Sequence, residues 1–167
     1  LAAGATIIND VSGLRADPEM AAVAVQAGGV ILMARPDEPS QQPPIQMIER
    51  LLRGCLDRAR AAGVAEERIV LDPGIGFYRQ AALPWDEVDC LIIRELGQLR
   101  AFGRPLLVGV SRKSFVGALT GKDRPEERLA GSLGATAVAV YNGAALVRTH
   151  DVAATRDAVR IATALRG

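Results

Sequence analysis

Apolar residues fall into two alternating patterns along the chain. Short runs rich in Val, Ile and Leu recur at 6–11 (TIINDV), 30–33 (VILM), 68–72 (RIVLD), 105–110 (PLLVGV) and 145–149 (ALVRT). They are apolar nearly throughout, as parallel strands covered on both faces require. Longer segments with helical spacing lie between them. The clearest, 45–62, carries Ile45, Ile48, Leu51, Leu52, Cys55, Leu56 and Ala59 as one stripe of helical period. Further helices are predicted over 18–27, with Asp17 as N-cap, and over 85–102, with Val88, Leu91, Ile92, Leu96 and Leu99 apolar. The Ala-rich segment 125–140 and the final segment 152–165 complete the set. Alternation of this kind predicts an α/β fold with a parallel sheet and right-handed crossovers.

Two architectures use that alternation. The dinucleotide-binding form of the doubly wound sheet is disfavoured, because no G-x-G-x-x-G follows the first strand. A parallel (β/α)8 TIM barrel takes about 250 residues, whereas this chain has 167 and five strand candidates. Five strands cannot close a barrel. The expectation is a single domain over 1–167 with about five βα units; if it is a barrel, the first three units are missing from the chain. Such a piece leaves two open sheet edges and a half-covered core, so the chain alone is expected to associate.

Composition narrows the function. The chain is 49% hydrophobic and 23% charged, which fits a folded domain and excludes a disordered tail. A net charge of +1 gives no reason to expect a nucleic-acid partner. The single histidine excludes a multi-His metal site within the chain. Cys55 and Cys90 form no C-x-x-C, which argues against a disulfide scaffold or zinc finger and fits a reducing, cytoplasmic setting. No basic segment leads into an apolar block at the start, so no signal peptide is expected. No apolar stretch reaches the ~18 residues of a membrane span. The loop 35–44, with four prolines, is long enough to carry function.

Polar residues gather at the C-terminal ends of the strands: Asn9 and Asp10, then Asp72 before Pro73-Gly74-Ile75-Gly76-Phe77, then Ser111-Arg112-Lys113, then Arg148, His150 and Asp151. That is the ligand side of barrels and open α/β sheets alike. Alternation puts Leu146, Arg148 and His150 on one face, and Gly109, Ser111 and Lys113 on another if extension continues that far. Cations from neighbouring strands could then converge on an anion, with Arg148 offering a planar fork suited to phosphate. Each residue also has a structural alternative. Asp72 could cap a turn, Asn9 support a loop, Arg148 pair with Asp151, His150 sit as a satisfied cap or core residue, and Lys113 be solvated. Gly117-Ala-Leu-Thr-Gly121-Lys122 is too short between its glycines for a P-loop, and Ser111 lacks a nucleophile-elbow context.

In combination the segments INDVSGL (8–14), LDPGIGF (71–77), LVGVSRKSF (107–115), LTG (119–121), GSL (131–133) and VRTHDV (147–152) resemble dihydropteroate synthase, of the pterin-binding barrel group. The resemblance runs from end to end of the chain and covers strands four to eight of that barrel. It implies a folate-biosynthesis transferase that joins 6-hydroxymethyl-7,8-dihydropterin diphosphate to p-aminobenzoate and releases pyrophosphate. By resemblance, Asn9, Met33, Asp72, Phe77 and Lys113 hold the pterin, and Ser114 lies by the p-aminobenzoate carboxylate. Arg148 and His150 hold the diphosphate and, with Lys113, form the catalytic set. Magnesium is the implied cofactor, its ligand expected outside this chain, and a homodimer is the implied assembly. Three positions depart from the pattern. Ala34 stands where the family usually reads His after Leu-Met, and Tyr78-Arg79 stand where it reads Gly-Lys, with a family Asn missing from 80–85. The intact SRKS and VRTHDV segments favour the synthase. Ala34 and Tyr78 favour a divergent paralogue without synthase activity or a barrel like the folate-dependent methyltransferases. A non-enzymatic interaction module is the reading from another class.

Overall fold

A computed structural model describes residues 1–38, 40–79 and 83–167. Pro39 of the proline-rich loop and residues 80–82 of the departing segment lie outside the described residues. Five parallel strands run β1 (Ile7–Asp10), β2 (Gly29–Met33), β3 (Ile69–Asp72), β4 (Leu107–Val108) and β5 (Leu146–Val147). They pair in sequence order, β1-β2-β3 and β4-β5, and a bridge between Leu71 and Leu106 joins the two groups. The last two strands are shorter than the expected 105–110 and 145–149. The backbone leaves extension early to form the turns that carry Ser111 to Lys113 and Arg148 to Asp151.

Register sorts the side chains. Ile8, Val30 and Ile69 are aligned across the sheet, as are Asp10, Leu32 and Leu71. The apolar members of this face join Leu106, Val108 and the helices in one core. The alternate positions, Asn9 with Ile31 and Val70, and Met33 with Asp72, point to the other, inner face. Asn9, Met33 and Asp72, assigned from sequence to one ligand, thus share a face by strand pairing.

Helix α1 spans Met20–Gln26, shorter than expected, because Asp17 caps the turn before it: its carboxylate accepts from Glu19 N at 2.8 Å. Helix α2 (Pro44–Ala62) starts on a proline, whose missing N–H costs nothing at that position. It buries Ile48, Leu52, Cys55 and Ala59 completely, as its stripe predicts. The expected helix 85–102 is two elements: α3 (Trp85–Arg94) and a 3₁₀ segment, Leu96–Phe102. Spacing of three aligns Leu96 with Leu99 on a 3₁₀ helix, and both are fully buried. The segment 125–140 likewise divides into a 3₁₀ turn, Pro125–Arg128, and α5 (Leu129–Tyr141). A helix not expected from sequence, α4 (Ser114–Thr120), buries Phe115 and Val116. Helix α6 (Val152–Arg166) closes the chain. Among the described residues, no helix is long and apolar enough to cross a membrane.

Apolar residues stay exposed on the edge strands and on α6: Ile7 is 56% and Leu146 37% exposed, and Val152 and Ile161 exceed 60%. Ile7 on β1 and Leu146 on β5 lie on strands with one unpaired edge each. The 167-residue chain expressed alone is expected to associate, read by sedimentation velocity as species larger than 17.6 kDa. A monomer with a cooperative calorimetric melt would contradict this.

Candidate functional site

The strand ends converge on Asp72. Its carboxylate, 1% exposed, terminates β3 on the inner face. One oxygen accepts from Gly74 N at 2.8 Å and the other from an Arg148 Nη at 3.0 Å. The second Nη of Arg148 donates to Asn9 Oδ1 at 2.8 Å. Residues from β1, β3 and the end of β5 are therefore tied through one guanidinium. Arg148 reaches them by crossing Gly109, where a Cβ would stand 2.9 Å from its Nη. Burial pushes the Asp72 carboxyl above its ordinary range, although the Gly74 N–H and the Arg148 charge pull it down. Buried carboxylate oxygens of this kind form strong charge-assisted bonds with N–H donors.

Lys113 enters from the other side. Its Nζ lies 5.1 Å from the centroid of the Phe77 ring, and the Arg35 guanidinium lies 5.5 Å from the same centroid. Burial draws the ammonium below the usual lysine range, while Asp72 and Asp89 oppose this. Strand alternation does not bring Lys113 here, as the sequence suggests. The strand ends at Val108, and Arg112, at φ +57°, reverses the backbone. That turn is held by Ser132 Oγ, which accepts from Arg112 N at 2.8 Å, and by Arg128, which donates to Arg112 O at 3.0 Å. It sends Arg112 away from Lys113 to a two-bond pair with Asp151 at 2.7 and 3.1 Å. Asp151 is thus the partner of Arg112 and not of Arg148.

His150 follows the same turn system. Its backbone N donates to Ser111 Oγ at 3.3 Å, and its Nδ1 lies 3.0 Å from that oxygen. With the hydroxyl donating, Nδ1 is the acceptor and Nε2 carries the proton. Ser114, exposed, opens α4 directly after Lys113. Met33, buried beside Asp72 in register, supplies an apolar floor. Phe77 also lines a neighbouring cavity of about 320 Å³ with Arg35, Met47 and Tyr78.

The first strand shows a division that sequence does not reveal. Asn9 faces the site, whereas Asp10 points to the helices. There it accepts from the Ser12 hydroxyl at 2.8 Å and from Leu14 N, folding the next loop. Arg58 of α2 fixes the same loop by donating to Gly13 O at 2.6 Å.

One departing residue bonds to the backbone of the other. The Tyr78 ring is buried, and its hydroxyl lies 2.6 Å from Ala34 O and 2.7 Å from Pro73 O. It tethers the residue after β2 to the residue after Asp72. Ala34 is itself fully buried. Burial drives the Tyr78 phenol well above its ordinary range, so it stays a donor. Arg79 does not join the cluster; its guanidinium lies over the Trp85 ring, 4.2 Å from the centroid.

Among the described residues, no three His, Cys, Asp or Glu side chains gather as a metal cage. Arg148, His150 and Lys113 offer donors and positive charge, which suits an anion, and Asp72 suits a polar N–H edge.

Comparison with known proteins identifies the family. The pterin binding enzyme profile covers residues 1–150, and the chain belongs to that family of barrel enzymes. It is 38% identical over 173 residues to dihydropteroate synthase from Synechocystis sp., covering 99% of this chain and 58% of that protein. It is 39% identical to the dihydropteroate synthase of Neisseria meningitidis serogroup B, covering 97% of this chain and 59% of the other. The solved dihydropteroate synthase from Xanthomonas albilineans in complex with 7,8-dihydropteroate superposes with a TM-score of 0.89 at 38% identity, over 99% of this chain and 63% of that one. The chain therefore spans about 58 to 59% of the curated relatives named and has the fold of part of a TIM barrel.

Tyr78→Phe removes the hydroxyl shared by two buried carbonyls. It is expected to lower the unfolding free energy by about 1–3 kcal/mol, read by denaturant titration of the full-length protein. An unchanged midpoint would show that the tether carries no stability.

Proposed function

We propose that the full-length protein containing this chain is a dihydropteroate synthase. The observation that carries the reading is the convergence of Asn9, Asp72 and Arg148, with Lys113 and Phe77 alongside. The two acceptor oxygens of Asp72 suit the aminopyrimidine edge of a pterin, and Asn9 bonds another part of the ring. Met33 and Phe77 pack against it, with Lys113 over the Phe77 face. The p-aminobenzoate carboxylate lies by Ser114, at the start of α4.

The reaction is an alkyl transfer. The methylene C–O bond to the diphosphate breaks as the p-aminobenzoate nitrogen bonds the same carbon; pyrophosphate leaves and the nitrogen gives up a proton. The electron-rich pterin shares positive charge at that carbon, so leaving-group departure can run ahead of attack. Charge then builds on the diphosphate, where Arg148 and His150 meet it. No covalent enzyme intermediate is needed. Arg148 is bonded to Asn9 and Asp72, so a pterin edge that takes the Asp72 oxygen displaces the guanidinium toward the diphosphate.

Magnesium is the cofactor of the proposed reaction in the full-length protein, with its ligand outside this chain. A cytoplasmic setting and a homodimer complete the reading. Support for the dimer is an apolar groove of about 470 Å³ between α3, α4 and α5, lined by Phe115, Leu119, Ala135 and Val138.

The test is pyrophosphate release by the full-length gene product given the pterin diphosphate and magnesium. Release that depends on p-aminobenzoate is expected, with Lys113→Ala and Arg148→Ala each losing about 10²-fold or more in kcat/KM. Pterin binding without release would favour the divergent paralogue instead.

A further inference from the structure

Asp89 was not visible as a site residue in the sequence, where it reads as one polar position among the apolar residues of a helix. The structure buries it to 1% exposure on α3, beneath the turn that follows Asp72. Its Oδ1 accepts from Gly76 N at 2.7 Å. Oδ2 is buried and has no hydrogen-bond partner among the described residues. The Lys113 side chain lies on the same glycine: a Cβ there would stand 3.0 Å from Nζ and 3.2 Å from Cδ. The carboxylate, the Gly76 peptide and the Lys113 side chain are therefore neighbours, and the Phe77 ring follows next in the chain.

An asparagine would serve Gly76 equally well and would leave no buried charge. A carboxylate with an idle oxygen costs stability unless a cation offsets it. The cations that act on Asp89 are Arg79 and Lys113, with Asp86 opposing them. Arg79, the stronger of the two, approaches from the side of the Trp85 ring, and Lys113 lies on the Gly76 turn that Asp89 holds. We infer that Asp89 is a positioning residue for Lys113: it fixes the Gly76 turn on which the lysine side chain lies and adds a carboxylate beside it next to Phe77. The role in turnover rests on the synthase reading above; the pairing itself does not.

Asp72 from β3, Asp89 from α3, Arg148 beyond β5 and Arg79 from the turn after β3 act on Lys113, and Arg35, from the loop after β2, shares the Phe77 ring with it. Burial and the two arginines favour loss of the proton, and the two carboxylates favour its retention. Removing one carboxylate charge must lower the pH at which Lys113 deprotonates. Asp89→Asn keeps the size of the side chain and its acceptor for Gly76, so a purely structural role predicts no such change.

The experiment uses full-length protein with ¹³C-methylated lysines, Lys113 being assigned by its loss in Lys113→Arg. Asp89→Asn is expected to move the Lys113 titration down by about one pH unit, and the alkaline limb of the kcat/KM profile with it. An unmoved Lys113 titration overturns the inference. Should the protein fail to form dihydropteroate at all, the titration still decides the pairing, and only the synthase reading falls. Should Asp89→Asn fail to fold, the reciprocal measurement decides it: Lys113→Met must raise the Asp89 carboxyl titration, and no rise overturns the pairing.

Discussion

The ion pair between Asp72 and Arg148 is the interaction on which the inner face depends. A carboxylate at the end of a central strand is removed from water and would be expensive alone. It is met by the Gly74 N–H, from its own turn, and by a guanidinium from a residue 76 positions away. The same guanidinium takes Asn9, so the first and last strands are tied to the middle one. Asp72 can bind a polar ring edge because it is desolvated; burial raises its carboxyl above the ordinary range, and Gly74 and Arg148 limit that rise.

Around this pair, turns do more than strands. The fourth and fifth strands supply two residues each to regular pairing. The left-handed Arg112 and its anchor Ser132 aim Lys113 inward and Arg112 outward, and Ser111 then holds His150. Tyr78 and Ala34 act similarly on the other side, where one hydroxyl ties the ends of the second and third strands. Taken singly, a Tyr for Gly and an Ala for His suggest a damaged site. The Tyr78 hydroxyl nevertheless bonds to the backbone carbonyls that follow Met33 and Asp72, and so holds those strand ends.

How much was legible follows from what each signal reports. The strands and α2 were readable because burial on both faces, or on one stripe, writes a long apolar pattern. The ligand end was readable because polar residues followed four strands at the same side, and register then grouped Asn9, Met33 and Asp72. Asp89 was not readable, since its role comes from a contact 13 residues away in the turn after β3. Nor was the choice of Asp151 by Arg112, because a single left-handed residue decides it. The 3₁₀ breaks in 85–102 and 125–140 are not legible because spacings of three and four both satisfy a loose apolar stripe. Helix α4 could have been found from Phe115, Val116 and Leu119, which share one side of a helix ending at Gly121.

The central claim is that the desolvated Asp72 carboxylate is the anchor for a pterin ring. The most direct measurement is calorimetric titration of a pterin into the full-length protein and its Asp72→Asn variant. The variant keeps the size of the side chain but removes the charge and replaces one acceptor with a donor. Loss of a charge-assisted bond predicts a Kd weaker by on the order of 10- to 100-fold. An affinity unchanged by Asp72→Asn, in a variant that still folds, would contradict the account.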